Sequence, residues 1–271
     1  MFLLFSFISL VDAKVLNTKV NIDDEGYEKL IGYMSENEMA LISQDIYDMF
    51  MVKNVVSYES YIVETTYYES PTQLPKKINE RHMTVDEYVN MSSTDEYECF
   101  FNVDTDSFDC DTQMKYLSLA VCEDIDGIYF YFYNNWDVMP KYKSFDVMAI
   151  RWTGDFTYDT YFGEQNTNGN TEYVSYNVGN GNYKIGTKAI GLSQNLVDSA
   201  TMIENKLIVS GSCSTGGRVY ASYQHAQANI TLATSKKYNF SSSGMGGIFE
   251  FYDGVGSYYD NTPGLSMIYS C

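Results

Sequence analysis

Gly127-Ile-Tyr-Phe-Tyr-Phe-Tyr133 and, eleven residues further on, Phe145-Asp-Val-Met-Ala-Ile-Arg-Trp152 are the runs on which the fold turns. Both are too short for a membrane span, which needs about 20 apolar residues in a helix. Continuous apolar character over seven or eight residues predicts strands covered on both faces. Similar runs recur at Lys206–Val209 and Gly246–Phe251, and the stretches Ser193–Glu204 and Tyr220–Lys237 between them carry helical spacing. Strands buried on both faces and separated by helices predict an α/β fold with parallel strands. The interval between the first two runs is short for a crossover that includes a helix, so a β-rich α+β domain built from antiparallel strands is the alternative.

Working outward, residues 22–52 place Leu30, Ile31, Met34, Met39, Ile42, Ile46 and Phe50 at spacings of three to four, which predicts one or two helices. Val55–Tyr68 is rich in β-branched residues and tyrosine and predicts a strand stopped by Pro71 and Pro75. Thr84-Val-Asp-Glu87 has the form of a capping box opening a helix over 84–98. The polar, glycine-studded run Gln165–Asn182 predicts a long loop. One globular domain over 14–271 accommodates all of this, with a mixed helix and strand portion over 14–105 and the strand-rich portion over 106–271.

The apolar run Phe2–Leu10, followed by Val11-Asp-Ala13, has the form of a secretory signal over residues 1–13. The expected location is outside the cell or on its surface. Five cysteines, Cys99, Cys110, Cys122, Cys213 and Cys271, fit an oxidising compartment with up to two disulfides, and Cys271 at the last position can pair with Cys213. A formal charge of −19 from 36 acidic and 17 basic residues repels nucleic acid and anionic lipid, and the sequence shows no basic run to offset it. Two histidines and no CxxC pair argue against zinc centres. Ser210–Gly217, with His225 beyond it, has the look of a nucleophile turn but lacks an identifiable acid partner.

Asp104, Asp106, Asp109 and Asp111 fall within eight residues. If 106–113 is a strand, alternation puts Asp109, Asp111 and Gln113 on one face, where buried carboxylates need partners, protons or cations. The pattern Asp106-x-x-Asp109-x-Asp111-x-Gln113 resembles the D-x-x-D-x-D-x-E signature of glycoside hydrolase family 18, the chitinase-like enzymes, with Gln in place of the final Glu. Gly244-Met-Gly-Gly-Ile-Phe-Glu-Phe251 is similar to the family's last barrel strand, with Phe251 where a tryptophan floors the sugar site. Phe145–Ile150 and Lys206–Gly211 resemble its sixth and seventh strands, although Ala149, Ile150 and Arg151 stand in place of polar residues.

The resemblance implies a divergent or incomplete (β/α) barrel. It also implies a secreted, lectin-like pseudoenzyme that binds polymers containing N-acetylhexosamine. Asp111 would orient the acetamido group, and Tyr129, Tyr131 and Phe251 would stack on sugar faces. Gln113 has no acidic proton to give, so glycoside hydrolysis is not expected. No cofactor is implied. An alternative is an acidic, tyrosine-rich surface-coat protein in which Asp104, Asp106, Asp109 and Asp111 hold calcium, although Lys115 stands where an EF-hand loop needs its bidentate Glu.

Overall fold

The computed structural model describes residues 20–70, 73–91, 110–168, 172–242 and 247–271. The candidate signal over 1–13 and the carboxylates of Asp104, Asp106 and Asp109 lie outside them, and Asp111 is placed by its backbone alone.

Three helices open the chain: α1 (Asp24–Leu30), α2 (Glu36–Met39) and α3 (Gln44–Val52). Asp23, Ser35 and Ser43 start them, each side chain accepting from a backbone N–H that the first turn leaves unpaired. The long antiparallel pair β1 (Asn54–Ser70) and β2 (Gln73–Met83) follows. Pro75 lies inside β2 rather than stopping it, which is tolerable because β2 is an edge strand and one of its sides needs no N–H. The Thr84–Glu87 capping box forms and opens α4 (Val85–Val89).

The remaining strands are β3 (Cys110–Asp124), β4 (Gly127–Val138), β5 (Phe145–Trp152), β6 (Thr157–Thr167), β7 (Glu172–Tyr176), β8 (Tyr183–Gly186), β9 (Ala189–Asn195), β10 (Ile203–Ser212) and β11 (Gly217–Gln224). After them come α5 (Leu232–Ser235), the short pair β12 (Tyr238–Phe240) and β13 (Phe249–Phe251), and β14 (Leu265–Tyr269). They form a seven-stranded sheet in the order β2-β1-β3-β4-β10-β6-β7 and a five-stranded sheet in the order β14-β11-β5-β9-β8.

Every ladder among the described residues is antiparallel, and both sheets have free edges. The (β/α) barrel is therefore overturned, and the β-rich α+β arrangement is the fold. The helices expected over 193–204 and 220–237 do not form: the first range is mostly a turn between β9 and β10, the second opens with the end of β11 and is then mostly loop, and only the short α5 is helical. The expected long loop over 165–182 contributes to the β6–β7 hairpin at both ends of residues 169–171, which lie outside the description. Strands on either side of the expected boundary at 105 share one sheet, since β1 pairs with β3 along most of its length.

The layering explains the misleading apolar runs. In β4, Ile128, Phe130 and Phe132 face the five-stranded sheet and join the core between the sheets. Tyr129, Tyr131 and Tyr133 face the other way and pack in the layer that holds Leu30, Ile46 and Phe50 of the helices. Both faces are covered, so the strand reads as continuously apolar without being parallel. On the outer face of the five-stranded sheet a third, smaller cluster gathers Val147, Tyr238, Val255 and Tyr259. A disulfide joins Cys213 to Cys271, as the sequence suggested, and Cys122 is a buried free thiol.

Candidate functional site: an arginine and aromatic cleft

On β5 the residues facing the core are Met148, Ile150 and Trp152, so alternation turns Val147, Ala149 and Arg151 outward. On β11 Val219, Ala221 and Tyr223 face the core, leaving Tyr220, Ser222 and Gln224 on the same outer face. Arg151 pairs in register with Tyr220. Its guanidinium lies 4.5 Å from the centre of the Tyr220 ring, within cation–π range. The neighbouring positions are small. A Cβ on Gly191 would meet the Tyr238 hydroxyl at 2.1 Å, so glycine there lets the β12–β13 hairpin seat on the sheet.

That hairpin brings in aromatic faces. Phe251 stacks on Tyr259 with ring centres 4.5 Å apart and planes at 14°, and Phe249 stacks beside it at 5.5 Å. Hairpin, sheet and the 261–264 loop with the start of β14 enclose a cavity of about 370 Å³ whose lining includes Arg151, Tyr220, Gln224, Phe249, Phe251 and Asn261. Arg151 is only 9 % exposed. The Gln224 amide donates to Thr262 O at 2.6 Å and to Ser222 Oγ at 3.0 Å, while its own carbonyl oxygen accepts nothing.

A buried polar network fixes the loop that walls this cavity. The Lys115 ammonium pairs with Asp260 and donates to Thr262 Oγ1 at 2.8 Å. Asp260 also accepts from the His225 backbone N–H at 3.0 Å. Asp146 accepts from Ala226 N at 2.9 Å, from Tyr223 Oη and from His225 Nδ1 at 3.0 Å. Trp136 Nε1 donates to the Tyr223 hydroxyl at 3.2 Å. Burial, reinforced by Asp146, holds the Tyr223 phenol well above its ordinary range, so it stays a donor. The Asp146–His225 pair has catalytic atoms but no access: both side chains are buried. Ser214 sits in the turn before β11, bonded to Asp155, whereas His225 follows the strand's far end, so the nucleophile-turn reading has no geometry.

Among the expected site residues with described side chains, Phe251 stands apart from Tyr129 and Tyr131. Phe251 lines the cavity. Tyr129 and Tyr131 lie in the helix-facing layer of the other sheet, Tyr131 buried and Tyr129 beneath the Lys53 ammonium at 4.1 Å. Gln113 is buried on β3, paired in register with Thr65, and Asp111 pairs with Tyr67. The one candidate metal group among the described residues is Asp155, Cys213 and Cys271, and its two sulfurs are already joined to each other. Arg151, which the sequence reading names only as a departure from the family's polar residues, is a cavity residue that it does not place in a site. Its signal is strand parity: it alternates with Met148, Ile150 and Trp152, which face the core, whereas Asp146, the strand's other charge, shares their parity.

No protein-family model matches the chain, and no curated protein sequence matches it. Among solved structures, the KRT10-binding region domain of the pneumococcal serine-rich repeat protein PsrP aligns with 79 % of this chain and 99 % of its own length, at 11 % identity and a TM-score of 0.32.

Proposed function

We propose that the chain is an extracellular binding module that holds a carbohydrate in the Arg151–Phe251 cavity and performs no chemistry on it. The observation that carries this reading is the cavity wall itself: the stacked rings of Phe249 and Phe251 set beside Arg151 and Tyr220. Aromatic faces suit the apolar faces of sugar rings, and a few fixed polar groups orient the hydroxyls. The Cys213–Cys271 disulfide supports an oxidising compartment. Among the described residues no helix is long and apolar enough to cross a membrane.

Calorimetric titration of the full chain with chitotetraose and a panel of neutral tetrasaccharides tests the reading. Binding is expected, with Phe251→Ala weakening it by about 1–3 kcal/mol, the scale of a buried aromatic contact. Absence of heat across sugars of every class, charged ones included, overturns it. A second reading, assembly as a surface coat, draws on β14, an edge strand that exposes Ile268. Concentration-dependent association that Ile268→Lys abolishes would favour it.

A further inference from the structure

We infer that the glycan held by this module is anionic, and that a second cavity on the other side of Arg151 receives its carboxylate or sulfate group. The inference rests on the carbohydrate reading and adds the charge of the ligand. This cavity, of about 470 Å³, is lined among others by Arg151, Lys188, Thr153, Thr187, Ser241 and Phe240. Arg151 lines both cavities, so a sugar stacked in the first places a substituent within reach of the second.

The surrounding charge is unusual for this chain. Lys184 in β8, Lys188 in the β8–β9 turn and Lys236 before β12 flank the same face of the five-stranded sheet. Each spends its ammonium on backbone carbonyls. Lys188 donates to Gly154 O, Lys184 to Lys236 O at 3.0 Å and to Tyr238 O, and Lys236 to Gly181 O at 2.7 Å. None of the three has a carboxylate partner among the described residues. A carbonyl accepts a hydrogen bond but leaves the net charge in place. Burial, and then the nearby Lys236 charge, lower the Lys184 pKa, as expected where cations gather without counter-ions. Asp155 is engaged by Ser214 and Thr215, and Asp253, in the loop after β13, by Lys237. In a protein of net charge −19, a local group of uncompensated cations beside a hydroxyl-lined hollow fits an anion better than a neutral sugar.

The experiment compares four probes on the full chain in 0.15 M salt: chitotetraose, a hyaluronan tetrasaccharide, a chondroitin sulfate tetrasaccharide and sodium sulfate. The charged sugars are expected to bind at least about tenfold tighter than chitotetraose, the scale of one charge-assisted hydrogen bond. Their affinity should fall with added salt, and both Lys188→Glu and the milder Lys188→Ala should collapse the preference. The carboxylate-only and sulfated sugars distinguish which anion is taken. Equal binding of neutral and charged sugars, or a preference untouched by both variants, overturns the inference while leaving the carbohydrate reading standing. No binding by any of the sugars overturns both, and sulfate binding alone reassigns the hollow to a small free anion.

Discussion

Lys115 is 2 % exposed, with its ammonium against Asp260 and Thr262 and 5.6 Å and 5.4 Å from the ring centres of Trp136 and Tyr223. Two charges removed from water are sustained only by each other and by the donors around them. Lys115→Met should therefore cost about 3–5 kcal/mol, because Asp260 is left charged and buried without its counter-ion. The double variant Lys115→Met with Asp260→Asn should recover a substantial part of that loss, since an amide oxygen can still accept from the His225 backbone. Urea unfolding of the three proteins decides it, and a single variant as stable as the wild type would show that the pair is not what holds the loop. This partnership was invisible in the sequence because the two residues lie 145 positions apart. In β3, Lys115, Leu117, Leu119 and Val121 share the face toward the second sheet, while Met114, Tyr116 and Cys122 face the helices, an alternation the sequence reading did not extend past residue 113. Arg151 was half legible, its outward direction following from strand parity and its purpose from neighbours on β11, β12 and β13.

At the scale of elements, β4 shows why strand existence was readable and strand direction was not. An apolar run reports only that both faces are covered. Here helices cover the tyrosine face and a sheet the phenylalanine face, whereas in the expected barrel helices and barrel interior would do so. The opening helices and the Thr84 cap were legible because their signals are local. Docking of α3 adds a consequence for pH. Glu204 on β10 accepts from Asn135 Nδ2 at 3.2 Å, next to Ser43 and Asp45 at the start of α3, with Lys206 joining Asp45 and Glu164 nearby. Burial first, then the Asp45 charge, push the Glu204 carboxyl from its ordinary 4.5 up to about 7. Below 4.5 both folded and unfolded chains hold this proton, so Glu204 adds no pH dependence there. Between 4.5 and about 7 the folded chain keeps a proton that the unfolded chain has lost, so stability falls as pH rises. Above that window the full cost persists, on the order of 3 kcal/mol for such a displacement. Glu204→Gln should accordingly gain stability relative to the wild type at pH 8 but not at pH 4. Parallel denaturant curves at the two pH values check this, and an identical difference at both would refute the role of Glu204.

For the molecule as a whole, the chain passes repeatedly between the two sheets, and the last element closes the structure at an edge. β14 pairs only with β11, yet Leu265, Met267 and Tyr269 reach into the core between the sheets. The Tyr269 ring meets Phe130 at 5.1 Å, and its hydroxyl donates to Thr153 O at 2.5 Å. An edge strand paired on one side alone is among the elements most exposed to local opening. The Cys213–Cys271 bond counters that by tying the second residue beyond β14 to the residue that follows β10 across a separation of 58 residues. By loop-closure entropy, a link of that span should contribute about 4 kcal/mol. Neither reduction nor reoxidation should scramble it readily through Cys122, because burial pushes that thiol up to about 12 and leaves little thiolate at neutral pH. Pairing Cys213→Ser with Cys271→Ser should thus lower the thermal midpoint of the oxidised protein. Since the 261–264 loop that walls the cavity leads directly into β14, the same change should weaken the proposed sugar binding as well. A reduced chain that keeps its midpoint, its hydrogen-exchange protection over 265–269 and its ligand affinity would mean that packing of Tyr269 and Leu265 alone holds the edge.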